Sequence, residues 1–201
     1  LPTDVAMTWG MILHFFLSGL ATYWFLRHAA RLSFIASVVG GVAYMMSGQV
    51  SSLLSAGHDG KLFVSALFPL TLLIITWGVR DGRRGAWGLL AILVGLGVLT
   101  PHPQLLQYLL LTSGAWALFL AFGGLGTEKL ARNVALQRLA VAFGAVLLGA
   151  AIGAIQFIPV SEYVAWSPRA GGRDYAYATS YSLPLEELIN AIVPHFSGIL
   201  E

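Results

Sequence analysis

Leu62-Phe-Val-Ser-Ala-Leu-Phe-Pro-Leu-Thr-Leu-Leu-Ile-Ile-Thr-Trp-Gly-Val79 carries no charged side chain, and it is bordered by Gly57-His-Asp-Gly-Lys61 before it and Arg80 after it. About 20 apolar residues cross a hydrocarbon core as one helix, so a run of this length between charged borders reads as a membrane span. Five further runs come near that length: Met7–Leu26, Leu32–Ala56, Ala86–Thr100, Leu105–Phe122 and Leu139–Pro159. The run Ala86–Thr100 is short at 15 residues and is stopped by Pro101 and Pro103, which cannot continue a helix. It is expected to borrow length from Gly85 or to sit in a locally thin, protein-lined place.

Composition agrees with this reading. The chain has 201 residues, 57% hydrophobic and 10% charged, with a mean hydropathy of +0.78. Soluble domains carry about 25% charged residues, and one water-exposed core of this size could not hide so much apolar surface. A soluble enzyme and a disordered tail are therefore excluded. The net charge of +2 is too small and too scattered for a nucleic-acid footprint, so no nucleic-acid partner is expected. With no cysteine, the chain has no disulfide, thiolate metal site or Cys nucleophile. The expected fold class is an all-α integral membrane bundle of about six transmembrane helices over residues 1–159. An extracytoplasmic loop and short amphipathic surface helix are expected over 160–201. The first partner is the lipid bilayer itself.

Orientation follows from lysine and arginine. Arg27, Arg31, Arg80, Arg83, Arg84, Lys129, Arg132 and Arg138 follow the first, third and fifth spans, which places eight of the eleven basic residues on one side. Lys61, Arg169 and Arg173 fall on the other side, with Asp4, Asp59, Glu162, Asp174, Glu186, Glu187 and Glu201, against Asp81 and Glu128 on the basic side. This alternation places both termini away from the cytoplasm. In the tail, Ser167, Pro168, Gly171 and Gly172 mark a loop, and Trp166, Tyr175, Tyr177 and Tyr181 suit the membrane–water interface. Ser182-Leu-Pro-Leu-Glu-Glu187 reads as a helix start with a capping hydroxyl, Pro184 in the first turn and two carboxylates near the positive end of the dipole. Leu185, Leu188, Ile189 and Ile192 form its apolar stripe, and Pro194 ends it.

Polar groups at the membrane edge are the candidates for function, because burying them is costly. His58, His102 and His195 all fall in loops on the outer side, and His28 in a loop on the inner side. Gly57-His58-Asp59-Gly60-Lys61 presents a base, a carboxylate and an ammonium in one tight turn. Lys61 and exposed amides suit a phosphate, and Asp59 can orient or accept a proton. The alternative is a polar hairpin whose charges pair with each other and cap the two helices. Thr100-Pro101-His102-Pro103-Gln104 fixes an imidazole between two prolines, where His102 and Gln104 can bond a phosphate or hydroxyls. The alternative there is a rigid proline turn with an incidental histidine.

Gln156 is explained by helix packing, whereas Glu162, at the membrane edge, is a substrate-contact candidate. Arg169, Arg173 and Asp174 are positioned to close a site from the outer loop, or are ordinary solvated charges. His14, in mid-membrane, is read as a hydrogen-bonding helix-packing residue, with haem or chlorophyll ligation as the alternative. Gly149-Ala-Ala-Ile-Gly153 is a close-packing surface. Walker, GxSxG, HExxH and dinucleotide motifs are absent, and the residues call for neither metal nor cofactor.

Together, Phe16-Leu-Ser-Gly-Leu-Ala-Thr-Tyr-Trp-Phe-Leu-Arg27, Gly41-Val-Ala-Tyr-Met-Met-Ser-Gly48, Gly57-His-Asp-Gly-Lys-Leu-Phe-Val-Ser-Ala-Leu-Phe-Pro69 and Thr100-Pro-His-Pro-Gln104 resemble the YfhO-like bacterial membrane proteins. Ser182-Leu-Pro-Leu-Glu-Glu-Leu188 and Pro194-His-Phe-Ser-Gly198 fit the same family, so the resemblance covers nearly the whole chain. It is most specific in the Gly-His-Asp-Gly-Lys block. That family is similar to the C-type glycosyltransferases, polytopic enzymes that take a sugar from a polyprenyl-phosphate carrier on the outer face of the inner membrane. The resemblance implies a lipid-linked sugar as partner, with His58, Lys61 and His102 suited to hold the leaving phosphate; the residues taken together as substrate contacts are His58, Asp59, Lys61, His102, Gln104 and Glu162. In C-type transferases the catalytic acid lies in a first outer loop after an initial span, whereas Leu1-Pro-Thr-Asp4 leads straight into a span. Asp4 is therefore given no role, no catalytic residue is assigned, and the chain is expected to be part of a longer enzyme or a shortened relative. The rival expectation is a non-catalytic subunit of a larger respiratory or photosynthetic membrane complex, using Gly149, Gly153 and His14 as contacts.

Overall fold

The structure, a computed structural model, describes residues 2–55, 57–123, 129–167, 170, 174–180, 182–193 and 196. Every element among these residues is helical. Helix α1 (Thr3–Trp24) continues through a π-helical turn, Phe25–Ala29. Next come α2 (Phe34–Met45), α3 (Gly48–Ser55) and α4 (Asp59–Ile75), the last ending in a second π turn, Thr76–Arg80. Helix α5 (Gly85–Leu99) is followed by α6 (Pro103–Leu118) with its π turn Phe119–Gly123, then by α7 (Arg132–Val164) and α8 (Tyr175–Thr179). A 3-10 helix, Leu185–Ala191, is the last element.

Five stretches are long and apolar enough to cross a membrane: Thr3–Ala29, Phe34–Leu53, Asp59–Arg80, Pro103–Gly123 and Arg132–Val164. Helix α5 is equally apolar but only 15 residues long, so the short run of the sequence is a short helix in the structure. The chain divides into two compact units, Leu1–Ile158 and Pro159–Glu201.

In the first unit α4 is the central helix. In its most apolar window 61% of residues are buried, against 28% or less for the other four long spans. It packs against α1, α3, α5 and α6. Named contacts give the directions. His14 meets Phe63, and Arg80 reaches the carbonyls of His28 and Ala29, so α1 and α4 run parallel. Gly60 lies against Pro101, and the Trp116 indole donates to Thr76 Oγ1 at 2.9 Å, so α6 runs the same way. Helix α5 runs opposite to these, with Gly78 against Trp87, and α7 runs alongside α5. One end of the bundle therefore gathers the arginine-bearing turns and the other gathers the two histidine-bearing turns.

The α5–α7 contact explains the glycine spacing on α7. A Cβ at Gly149 would sit 2.6 Å from the Ala91 carbonyl oxygen and 2.6 Å from Val94 Cβ, and one at Gly153 would collide with Val98. Only hydrogen lets the two backbones approach so closely. Both glycines are buried inside this chain, where they pack against α5.

Three boundaries differ from the sequence reading. The span read as Leu32–Ala56 breaks at Met46–Ser47, where Ser47 Oγ accepts from the Val50 N–H and starts α3. Helix α7 does not stop at Pro159 but continues to Val164. A proline within a helix removes one N–H and leaves the carbonyl four residues earlier without its donor. The same loss at Pro69, inside α4, falls on the Ser65 carbonyl, and there the Tyr44 hydroxyl donates from α2 at 3.0 Å. A neighbouring helix thus supplies the bond that proline removes, as a span in hydrocarbon requires.

The third difference is in the second unit. Pro184 is extended and stands as the cap before the 3-10 helix, so that element is a seven-residue 3-10 helix of about two turns rather than an α-helix opening at Ser182. Its apolar residues Leu185, Leu188, Ile189 and Ile192 are exposed. Asp174 caps α8 by accepting the Tyr177 N–H at 2.8 Å. Pro168, Arg169, Gly171, Gly172, Arg173, Tyr181, Pro194 and His195 lie outside the described residues, as do Glu128, Gly198 and Glu201.

Candidate functional site

The two polar turns singled out in the sequence, 43 residues apart at His58 and Pro101, meet at one end of the bundle. The close approach is made by Gly60, whose missing side chain leaves room for Pro101; a Cβ there would lie 2.9 Å from Pro101 Cγ. Gly57 makes the preceding turn with a φ of 65°, in the left-handed region that favours glycine. From this turn α4 departs directly, so Asp59 and Lys61 stand in its first turn.

Each polar group in the cluster has a definable state. Asp59 Oδ1 accepts the Gly60 N–H at 2.7 Å, and its charge sits favourably at the positive end of the α4 dipole. Lys61 is half-buried and makes no ion pair or side-chain hydrogen bond with any described residue. The expected alternative of mutual pairing is therefore not what Asp59 and Lys61 do, although Asp59 does satisfy an N–H of the helix start. His58 is exposed and caps α4 through its backbone alone.

His102 is half-buried and caps α6, with Nδ1 accepting the Leu105 N–H at 3.3 Å and Pro103 following at the first helical position. That bond needs an unprotonated Nδ1, so the proton of the neutral ring is on Nε2. Burial holds the His102 pKa below its ordinary 6.5, and the nearby charge of Lys61, then that of His58, push it the same way. A backbone hydrogen bond opposes them. The cluster thus sets a neutral imidazole and an ammonium without an ion-pair partner beside a carboxylate that accepts the Gly60 N–H. A phosphate or sugar phosphate suits such a place.

Gln104 is exposed on α6, where its amide donates to the Tyr108 hydroxyl at 2.9 Å. It shares the turn with His102 but is already engaged. Glu162 belongs to the second unit, near the end of α7, and is exposed. His14 Nδ1–H donates to the Gly10 carbonyl at 2.8 Å, and the ring lies over Phe63 with ring centroids 3.9 Å apart. Its place is between α1 and α4. Among the described residues no group of three histidine, aspartate or glutamate side chains could hold a metal ion.

Sequence reasoning missed what lies beside this end. A groove of about 560 Å³ runs along α6 from Pro103 and Leu106 to Leu118, walled by α4, α5 and α7. Its lining is apolar except for Thr71, Gln107 and Ser113. The Ser113 hydroxyl is buried and has no hydrogen-bond partner, which is uncommon for a buried polar atom. Ser113 sits in a run of small and apolar residues, and serine is routinely absorbed in membrane helices, so the sequence carries no separate signal for it. No protein-family model, curated protein or solved structure matches the chain.

Proposed function

We propose that this chain is the membrane core of a YfhO-like glycosyltransferase that binds a polyprenyl-phosphate-linked sugar at the histidine end of the bundle. One observation carries the reading: the Gly57–Lys61 and Thr100–Gln104 turns, separate in sequence, are packed together through Gly60 and Pro101. The phosphate rests on Lys61, with His58 and the Nε2–H of His102 as further donors. The isoprenoid tail enters the apolar groove beginning at Pro103, one residue from the His102 imidazole. In the transfer, an acceptor hydroxyl oxygen bonds to the anomeric carbon as the bond from that carbon to the phosphate oxygen breaks. The phosphate leaves with the electron pair, and the hydroxyl proton passes to a carboxylate, for which Asp59 is the nearest group in this cluster.

On this reading the histidine end faces outward from a bacterial inner membrane, both ends of this chain lie on that side, and the exposed residues Leu185, Leu188, Ile189 and Ile192 rest on the outer leaflet. The accessory-subunit reading retains the broad exposed apolar surface but loses Gly149 and Gly153, which are spent on α5.

The test is sugar transfer from a polyprenyl-phosphate donor by the protein in native membranes. Lys61→Gln is expected to lower transfer about 10²-fold or more, the scale of removing one charge-stabilising donor, while insertion and expression are unchanged. Full transfer by Lys61→Gln and Asp59→Asn alike would overturn the proposal and favour a packing role.

A further inference from the structure

The arginine end of the bundle holds a second groove, of about 310 Å³, between α1, α4 and α5. Trp24, Leu73, Trp77, Ile92 and Leu93 form its apolar wall, and His28 stands at its mouth. The wall follows α4 from Leu70 to Trp77, roughly 10 Å at 1.5 Å per residue, which is enough for the upper part of one hydrocarbon chain. Directly at the rim, the Arg83 guanidinium lies 4.9 Å from the Trp77 ring centroid. Arg84 follows it as the cap of α5, where the positive end of that helix's dipole points to the same place.

Charge decides what covers this groove. Arg80 is spent: it pairs with Asp81 at 2.8 Å and bonds the Ala29 and His28 carbonyls. Asp81 is the only acid among the described residues of the turns at this end, and that pair neutralises it. Arg83 and Arg84 are exposed and have no acidic partner among the described residues. An apolar slot with aromatic walls, opening under two uncompensated guanidinium groups, matches an amphiphile with one charged end.

We infer that this groove is a binding site for an anionic phospholipid, such as phosphatidylglycerol, whose acyl chain lies against Trp77 and Leu73 and whose phosphate meets Arg83 and Arg84. The inference is independent of the sugar-transfer proposal, which concerns the opposite end of the bundle. Basic pockets between membrane helices recognise anionic headgroups through this combination of charge and apolar slot.

Native mass spectrometry of the delipidated full chain, titrated with dioleoyl phosphatidylglycerol or dioleoyl phosphatidylcholine, tests it. The wild type is expected to bind one phosphatidylglycerol at least tenfold more tightly than phosphatidylcholine. The double variant Arg83→Gln, Arg84→Gln is expected to lose roughly fivefold per arginine for phosphatidylglycerol and nothing for phosphatidylcholine. Ile92→Trp, which fills the groove from an exposed position and leaves the charge alone, is expected to weaken both lipids together. Equal binding of the two lipids by the wild type, or full selectivity in the double variant, would overturn the inference.

Discussion

Replacing Tyr44 by Phe removes one oxygen atom and tests how a proline is accommodated in the central span. Pro69 leaves the Ser65 carbonyl without its helical donor, and the Tyr44 hydroxyl supplies that donor at 3.0 Å. An ordinary hydrogen bond between membrane helices is worth about 0.6 kcal/mol, with the largest near 1.7, because the separated helices find other partners. Here the separated α4 has none to offer, since its own geometry removed the N–H. The cost of Tyr44→Phe is therefore expected near the upper value, about 1.5 kcal/mol, measured by reversible unfolding in mixed micelles. The decisive comparison is a double-mutant cycle with Pro69→Ala. Alanine restores an N–H four residues after Ser65, so in that background Tyr44→Phe should cost roughly 0.5 kcal/mol, a coupling of about 1 kcal/mol. A loss below about 0.5 kcal/mol in the wild-type background, or the same loss in both, would refute the argument.

Three further outcomes follow from the packing and the charges. Gly153→Leu is expected to destabilise the isolated chain by about 3 kcal/mol, through overpacking against Val98 on α5, in the same unfolding assay. Stability is expected to fall as pH drops through 6.5 toward the depressed His102 pKa, because the unfolded chain takes up the proton first; His102→Asn, which can still cap α6, should flatten that part of the pH profile. Arg138→Met should cost about 1.5–3 kcal/mol, since the guanidinium bonds the Val79 and Arg80 carbonyls at 2.7 and 3.0 Å and so closes the end of α4.

Much of the bundle is legible in the sequence because a span is a one-dimensional signal. Length and absence of charge mark Leu62–Val79 without knowledge of any neighbour, and the proline pair at 101 and 103 marks the end of α5. What the sequence does not carry is compensation between helices. Pro159 looks like a stop and Pro69 like a defect, since the Tyr44 hydroxyl that answers Pro69 is on another helix. The break at Met46–Ser47 depends on a serine whose Oγ, besides donating back to the Tyr44 carbonyl as serine in an apolar helix ordinarily does, accepts the Val50 N–H as a cap. The site is legible in the same divided way. Each turn announces itself by composition, but that Gly60 is the surface on which Pro101 rests is a fact of packing.

Arg80 and Arg138 differ from Lys61 in what holds them, and the difference bears on function. A helix in hydrocarbon must satisfy the carbonyls at its C-terminal end, and at the arginine end guanidinium groups from other helices do so. Arg80 closes α1 and Arg138 closes α4. Removing either exposes carbonyls, so their charge is accounted for by the fold. Lys61 stands at the opposite end, in the first turn of α4, where the helix presents N–H groups and its dipole repels a cation. It closes no helix there and has no ionic partner among the described residues, yet it is half-buried. It also works against charging of the neighbouring His102. A cation set against the local dipole gains nothing from the helix it stands on, and an anion placed between Lys61 and His102 gives it a partner. Lys61, more than either histidine, is therefore the residue on which the phosphate-binding proposal rests.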